Sequence, residues 1–266
     1  MGKDRHILLS FDVEEFDLPL EYGHQIPMEK QIETGINGLK AIDPFLTDPD
    51  LKVTLFTTAH FALQVPDSIR SLAEHHEIAS HTYYHSSFDV PDLLASRLAL
   101  EKISGTNVNG IRMPRMRDVL AADLLQAGYT YDSSINPTWI PGRYNHFNLP
   151  RTTFLEKDLT RIPASVSPLI RVPLFWLSFK NLPFPVYKSL ALQTLQKDGY
   201  LCLYFHPWEF TDLSSFGLPV IVRKIDGNRL QERLQLLLTH LKKEADFITI
   251  QDYLCLVRQK VDRLIN

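Results

Sequence analysis

His76-Glu77-Ile78-Ala79-Ser80-His81-Thr82-Tyr83-Tyr84-His85 joins a strand signal to a chemical one. Ile78 and Ala79, flanked by polar residues, read as the end of a short buried strand; a helical turn beyond it brings His81 and His85, four residues apart, onto one face. Two neutral imidazoles placed this way can share one divalent ion. Transition metals favour imidazole, and zinc holds nitrogen at about 2.0–2.1 Å, so an oxygen ligand from elsewhere in the chain would complete a catalytic site with an open position. Taken alone, such a pair is more often a solvated face or a packed contact. The rest of the chain has to supply the support.

Upstream, His6 to Val13 is an apolar run ending in acids, a buried strand that delivers Asp12, Glu14 and Glu15 to a surface. Gln31 to Leu46 carries apolar residues at helical spacing with Pro49 as a stop, Val53 to Thr57 is a second strand, and Pro66 to His75 a short helix. Downstream, Pro91 to Ile103 is a helix with proline in its first turn, Gly110 to Arg112 is strand-like, Asp118 to Ala127 is a helix capped by Gly128, and Tyr129 to Asp132 is again strand-like. From Pro137 to Pro185 the pattern changes. Eight of the 17 prolines fall there among many aromatics, which predicts loops and short strands covering one end of the fold. Regularity returns with a helix over Val186 to Lys197, a strand over Tyr200 to Phe205, a helix over Arg229 to Lys243, a strand over Phe247 to Ile250 and a closing helix over Asp252 to Leu264.

Alternating strand and helix predict an α/β fold of parallel strands wrapped by helices, open or closed into a barrel. Asp12, His81, Arg112, Asp132 and His206 all stand at or just past the C-terminal ends of predicted strands, where barrel enzymes gather their chemistry. An open doubly wound sheet usually carries a Gly-rich phosphate turn, and this chain has none. No repeat or linker divides residues 1–266, so one domain is expected, with 137–185 as an irregular cover over the mouth.

The 266 residues carry 28 Lys and Arg against 31 Asp and Glu, a net charge of −3 without a basic block, which argues against nucleic acid as a partner. Cys202 and Cys255 lie in apolar segments and fit buried thiols in a reducing compartment. No stretch reaches the roughly 18 apolar residues of a membrane span, and the start lacks a signal-peptide core. A cytoplasmic protein without an integral span is the expectation. The oligomeric state is not legible.

At this level the residues resemble a known family. Ser10-Phe11-Asp12, the block from Glu77 to His85, Arg112-Met113-Pro114, Tyr131-Asp132-Ser133-Ser134 and Leu203-Tyr204-Phe205-His206 resemble, in order, the motifs of the polysaccharide deacetylases, also called the NodB-homology domain or carbohydrate esterase family four. The Asp12-Val13-Glu14 start and the Phe205-His206-Pro207-Trp208-Glu209 run look most like the branch found with exopolysaccharide biosynthesis. The resemblance implies a distorted (β/α) barrel of about seven strands, a divalent metal, most simply zinc, and hydrolysis of the acetyl group of an N-acetylated sugar or glycan. Residue by residue, it makes His81 and His85 metal ligands, Asp12 the general base, Arg112 the group that orients Asp12, His206 the general acid, and Asp132 the carboxylate holding the other ring nitrogen of His206.

The sequence departs from the family at two places. Its members carry two adjacent aspartates, base then ligand, and here the second place is Val13. Residues two apart on a strand share a face, so Glu14 can coordinate beside Asp12; alternatively Asp12 binds the metal and Glu14 or Glu15 acts as base. After Pro114, Arg115-Met116 replaces the usual small and glycine residues, which predicts a narrower groove floor. Two other functions fit the same residues: a metal-independent C–N hydrolase of a small amide or ureide, and a noncatalytic glycan-binding barrel. Glu15, Asp17, Glu21, His24, His60, His75, His76 and His146 carry no such support and read as solvated surface; Trp139, Trp176 and Trp208 are either sugar platforms or core.

Overall fold

Strand β1 (His6–Val13) sets the plan by alternation. Ile7, Leu9, Phe11 and Val13 enter the large core between strands and helices. Leu8 faces the other way, into a smaller core with Phe56, Ala79, Tyr131, Ile162 and Cys202. Farther along that inner face come Ser10, Asp12 and Glu14, all buried. One face of one strand thus runs from apolar at its base to acidic at its C-terminal end, as a period of two requires.

The computed structural model describes residues 3–265, with side chains through residue 259. Its other strands are β2 (Thr54–Thr57), β3 (Glu77–Ser80), β4 (Gly110–Ile111), β5 (Tyr131–Asp132), β6 (Trp139–Ile140), β7 (Tyr144–Asn145), β8 (Phe154–Glu156), β9 (Leu159–Arg161), β10 (Tyr200–Phe205) and β11 (Asp246–Phe247). They pair in the order β10-β1-β2-β3-β4-β5-β9-β8. The seven strands from β10 to β9 are parallel, and β8 closes the path antiparallel to β9. β1 meets β11 near its start and β2 near its end. No hydrogen-bonded ladder among the described residues joins β10 to β8. The inner core nevertheless gathers side chains from β1, β2, β3, β5 and β10, so the strands wrap one apolar plug in the manner of a distorted barrel. The fold is the expected α/β architecture with a mostly parallel sheet.

The closing helix Ile250–Ile265 plugs the base. Its first amide donates to Thr54 Oγ1 (3.0 Å) and its second to Glu77 Oε2 (3.1 Å), while Glu77 Oε1 accepts from Tyr131 OH (2.7 Å). The helix Met28–Ala41 packs unusually close to the strand ends. A Cβ on Gly35 would lie 2.6 Å from the Glu14 carbonyl oxygen, and one on Gly38 would lie 2.4 Å from the Pro207 carbonyl carbon. Only glycine lets this helix rest on the backbone of two segments that carry functional side chains.

Several elements differ from expectation. The helix expected over Gln31 to Leu46 is two, Met28–Ala41 and Asp43–Leu46, and an unexpected one covers Ala59–Gln64. The strand expected to continue to Ile250 stops at Phe247, and Ile250 starts the last helix. The Pro-rich segment holds the expected short strands, β6 to β9, and in addition the helix Trp176–Asn181. Residues His81 to His85 form no helical turn. Thr82 takes a left-handed φ of 65°, its amide donates to Ser80 Oγ, and the chain turns as a loop.

Candidate active site

Three atoms converge above the end of β1. Glu14 Oε2 lies 3.0 Å from His81 Nε2 and 3.2 Å from His85 Nε2, and the two rings stack with centroids 5.5 Å apart. Each imidazole is fixed from behind. His81 Nδ1 donates to the Arg112 carbonyl (2.7 Å), which can only accept; His85 Nδ1 donates to the buried Asp17 carboxylate (2.7 Å). Both rings therefore turn Nε2 inward. Glu14 is fixed as well: its Oε1 accepts from the Trp208 indole (3.0 Å), leaving Oε2 buried and without a hydrogen-bond partner. Three donor atoms within 4.8 Å of one another could hold a cation between them. One oxygen and two nitrogen donors, each held by a second group, suit a divalent ion. In the metal-free chain a proton takes that role. Burial opposes charge on His85, but Glu14 and then Asp17 outweigh it and lift its pKa to about 9, while the neighbouring imidazoles hold the Glu14 carboxyl, despite its burial, far below the usual range.

Asp12 stands outside this cluster. Its Oδ1 accepts from Arg112 Nη1 (2.6 Å), and its Oδ2 faces His206 Nε2 across 3.8 Å. Arg112 is fully buried; it also donates to Ser10 Oγ, Ser133 Oγ and the Ser133 carbonyl, and lies over the rings of Phe56 and Tyr204 at 4.1 and 4.9 Å. The guanidinium is thus immobile, and so is the carboxylate oxygen it holds.

His206 follows β10 and stacks on Trp208 at 4.8 Å, with Trp176 edge-on at 5.2 Å. Its other ring nitrogen is not held by Asp132, which corrects the sequence expectation. Nδ1 donates to Glu209 Oε1 (3.0 Å), which also accepts the His206 amide (2.8 Å), and Glu209 Oε2 pairs with the buried Lys180 ammonium at 2.9 Å. Burial disfavours charge on His206, yet the Glu209 hydrogen bond, with the charges of Glu14, Glu209 and Asp12, raises its pKa above the ordinary value. Asp132 is buried elsewhere, against Arg161 (2.7 Å) and Ser134. β9 lies beside β5 and brings Arg161 to it; a strand inside the Pro-rich segment gave no advance sign of this.

Two residues read as solvated surface are buried here. Asp17 orients His85, and Glu15 accepts the His85 amide (3.1 Å) and the Thr58 hydroxyl (2.6 Å). Arg115 closes the mouth. It ties Glu21, Asp17 (3.0 Å) and the His85 carbonyl (3.1 Å), and both it and Met116 keep left-handed φ values of 58° and 54°, the conformation that suits the glycine expected nearby. The space enclosed by Asp12, Glu14, the three histidines, Arg115, Met116 and Tyr144 is about 40 Å³, room for an ion with a water or two. The narrower floor predicted at Arg115-Met116 fits this enclosure.

Residues 3–131 match the polysaccharide deacetylase family model. The match takes in Asp12, Glu14, His81, His85 and Arg112, and ends before His206 and Glu209. Among solved structures, one described as a polysaccharide deacetylase from Mycobacterium smegmatis shares the fold at a TM-score of 0.66, with 18% identity over 98% of this chain and 92% of that one. PuuE allantoinase gives 0.65, with 16% identity over 94% and 89%. A CE4 family pseudoenzyme from Bacillus anthracis gives 0.51, with 11% identity over 93% of this chain and 64% of that one. No curated protein matches the sequence. Residues 3–131 thus resemble the polysaccharide deacetylase family model, and the solved neighbours share the fold of the chain.

Proposed function

We propose that this protein is a metal-dependent hydrolase that removes the acetyl group from an N-acetylated sugar or glycan during surface polysaccharide biosynthesis. The observation that carries the reading is the convergence of Glu14 Oε2, His81 Nε2 and His85 Nε2, flanked on one side by Asp12 held on Arg112 and by His206 held on Glu209. Glu14, His81 and His85 would hold the ion, for which a nitrogen and oxygen donor set favours zinc. When bound, the ion supplies Lewis acidity toward the acetyl carbonyl and lowers the pKa of water. The chain's own groups do the proton work. Asp12, kept in place by Arg112, accepts a proton from the attacking water at Oδ2. His206 then delivers a proton from Nε2 to the departing amine, a role that its raised pKa, set by the Glu209 hydrogen bond, favours. The acetyl carbonyl would enter this space, and the sugar ring would lie at its mouth beside Met116 and Tyr144. Cys202 is buried as expected, whereas Cys255, expected to be buried, is exposed.

Elemental analysis together with acetate release from chitooligosaccharides tests this. Purified protein is expected to hold about one zinc per chain and to release acetate. Glu14→Ala and a His81→Ala, His85→Ala double variant are expected to lose both. Full turnover by the double variant would sink the proposal. A second reading, hydrolysis of a small cyclic amide or ureide, draws support from the size of the cavity and the allantoinase neighbour. Activity on such a compound that survives exhaustive chelation selects it.

A further inference from the structure

Leu169 and Ile170 are the two most exposed large apolar side chains among the described residues, at 91% and 74%. They form the tip of a tight turn, in which Val166 bridges Pro173, Ser167 exchanges hydrogen bonds with Val172, and Arg171 adopts a left-handed φ of 53°. Arg171 clamps this turn to the β6–β7 hairpin and the loop after it. Its guanidinium donates to the carbonyls of Pro137 (3.0 Å) and Leu149 (2.9 Å) and lies 4.7 Å from the Phe147 ring; its own carbonyl accepts from Thr138 Oγ1 (2.8 Å). The clamp brings Trp139, 60% exposed, and Phe147, 49% exposed, beside the tip. On the same hairpin Arg143 and Tyr144 line the catalytic cavity. The clamp thus ties the Leu169–Ile170 tip to the hairpin that carries Trp139 and, through Arg143 and Tyr144, part of the cavity wall.

Exposed apolar residues scattered singly need no explanation, but a gathered patch points to a partner. Charge tells which kind. From Ser133 through Lys197, Arg151, Arg161 and Lys180 are paired with Asp198, Asp132 and Glu209, whereas Arg143, Lys157, Arg171, Lys188 and Lys197 form no ion pair among the described residues. Arg143 and Arg171, at the patch, form no ion pair among the described residues. The carboxylates drawn toward this rim are Glu21, which feels Arg143 but pairs with Arg115, and Asp118, 3.6 Å from His146. Tryptophan, phenylalanine and aliphatic tips beside arginines match the layering of a bilayer interface, where indole sits at headgroup depth and cations meet anionic lipid. A neutral glycan would use Trp139 but leave Leu169 and Ile170 in water.

We propose that this rim docks on an anionic phospholipid surface, with Trp139, Leu169 and Ile170 entering the headgroup layer and the mouth of the site facing the membrane. Among the described residues no helix is long and apolar enough to cross a bilayer; the docking proposed is peripheral. Docking does not depend on the reaction the site performs.

Vesicle co-sedimentation with the full-length protein tests it, using phosphatidylcholine vesicles with and without phosphatidylglycerol at low salt. Trp176 and Trp208 are buried, so a blue shift of tryptophan emission on binding reports Trp139. Binding to the phosphatidylglycerol vesicles with a blue shift is expected. Leu169→Ser with Ile170→Ser is expected to weaken it at least about ten-fold, and Trp139→Phe to keep binding while losing the shift. Three outcomes overturn the proposal: no binding to the anionic vesicles, binding that the double serine variant leaves unchanged, or capture by a soluble acidic polysaccharide in place of vesicles.

Discussion

At the scale of single residues, the sequence exposed those side chains whose position on a strand fixes their direction. Asp12 and Glu14 share the inner face of β1, and Arg112 and His206 each step off the end of an apolar strand. What it hid were the groups behind them. Glu209 lies three residues after His206 in a 3-10 turn whose geometry returns its carboxylate to the ring, a relation that strand logic does not contain. Asp132 had the right location and the wrong partner, because Arg161 takes its charge. The Glu209 assignment has a kinetic consequence. A charged neighbour that raises the His206 pKa extends the acid form to higher pH, so removing that charge must move the alkaline limb of the rate profile downward. Glu209→Gln paired with Lys180→Met, which avoids leaving a buried ammonium alone, is expected to lose more activity at pH 8 than at pH 6. His206→Gln is expected to lower kcat by about 10²-fold or more across the range. An unmoved alkaline limb in the double variant would show that Glu209 only packs.

Among elements, parallel strands and long amphipathic helices were legible because their periods of 2.0 and 3.6 are properties of the chain itself. The loop from His81 to His85 was not. It brings the two rings together through a left-handed Thr82 and an amide held by Glu15, whereas spacing alone suggested a helical turn. The helix Met28–Ala41 shows how an element remote in sequence sets the site. Gly38 rests against the carbonyl carbon of Pro207, immediately after His206, with no room for a methyl group and rigid backbone on the other side. Gly38→Ala must displace the turn that carries His206, Trp208 and Glu209. Destabilisation of about 1–3 kcal/mol is expected from overpacking, read as a lower urea midpoint, together with reduced turnover. Gly105→Ala serves for contrast: a Cβ there meets nothing within 4 Å, and its cost comes from φ alone. Equal loss of turnover in both variants would mean that Gly38 does not position the site.

On the scale of the whole molecule, two cores meet at the cluster of Glu14, His81 and His85: the inner plug ends beneath Asp12, and the outer core supplies Trp208, which fixes Glu14. The site thus joins β1, the loop after β3 and the turn after β10, segments far apart in sequence. An ion bound by Glu14, His81 and His85 would tie the first two of these together only in the folded chain, so binding must appear as stability. With free zinc at about 100 times its dissociation constant, the gain is about 2.7 kcal/mol. For a chain of this size each kcal/mol moves the midpoint by about 2–4 °C, so Tm should rise by roughly 5–10 °C on loading and fall again with a chelator. The His81→Ala, His85→Ala variant is expected to show no zinc-dependent shift. Trp208→Phe, which keeps the ring but frees Glu14 Oε1, is expected to retain a smaller one, because the ligand survives and only its orientation is lost. A zinc-dependent rise of the same size in all three proteins would place the ion elsewhere and remove the cluster from the chemistry.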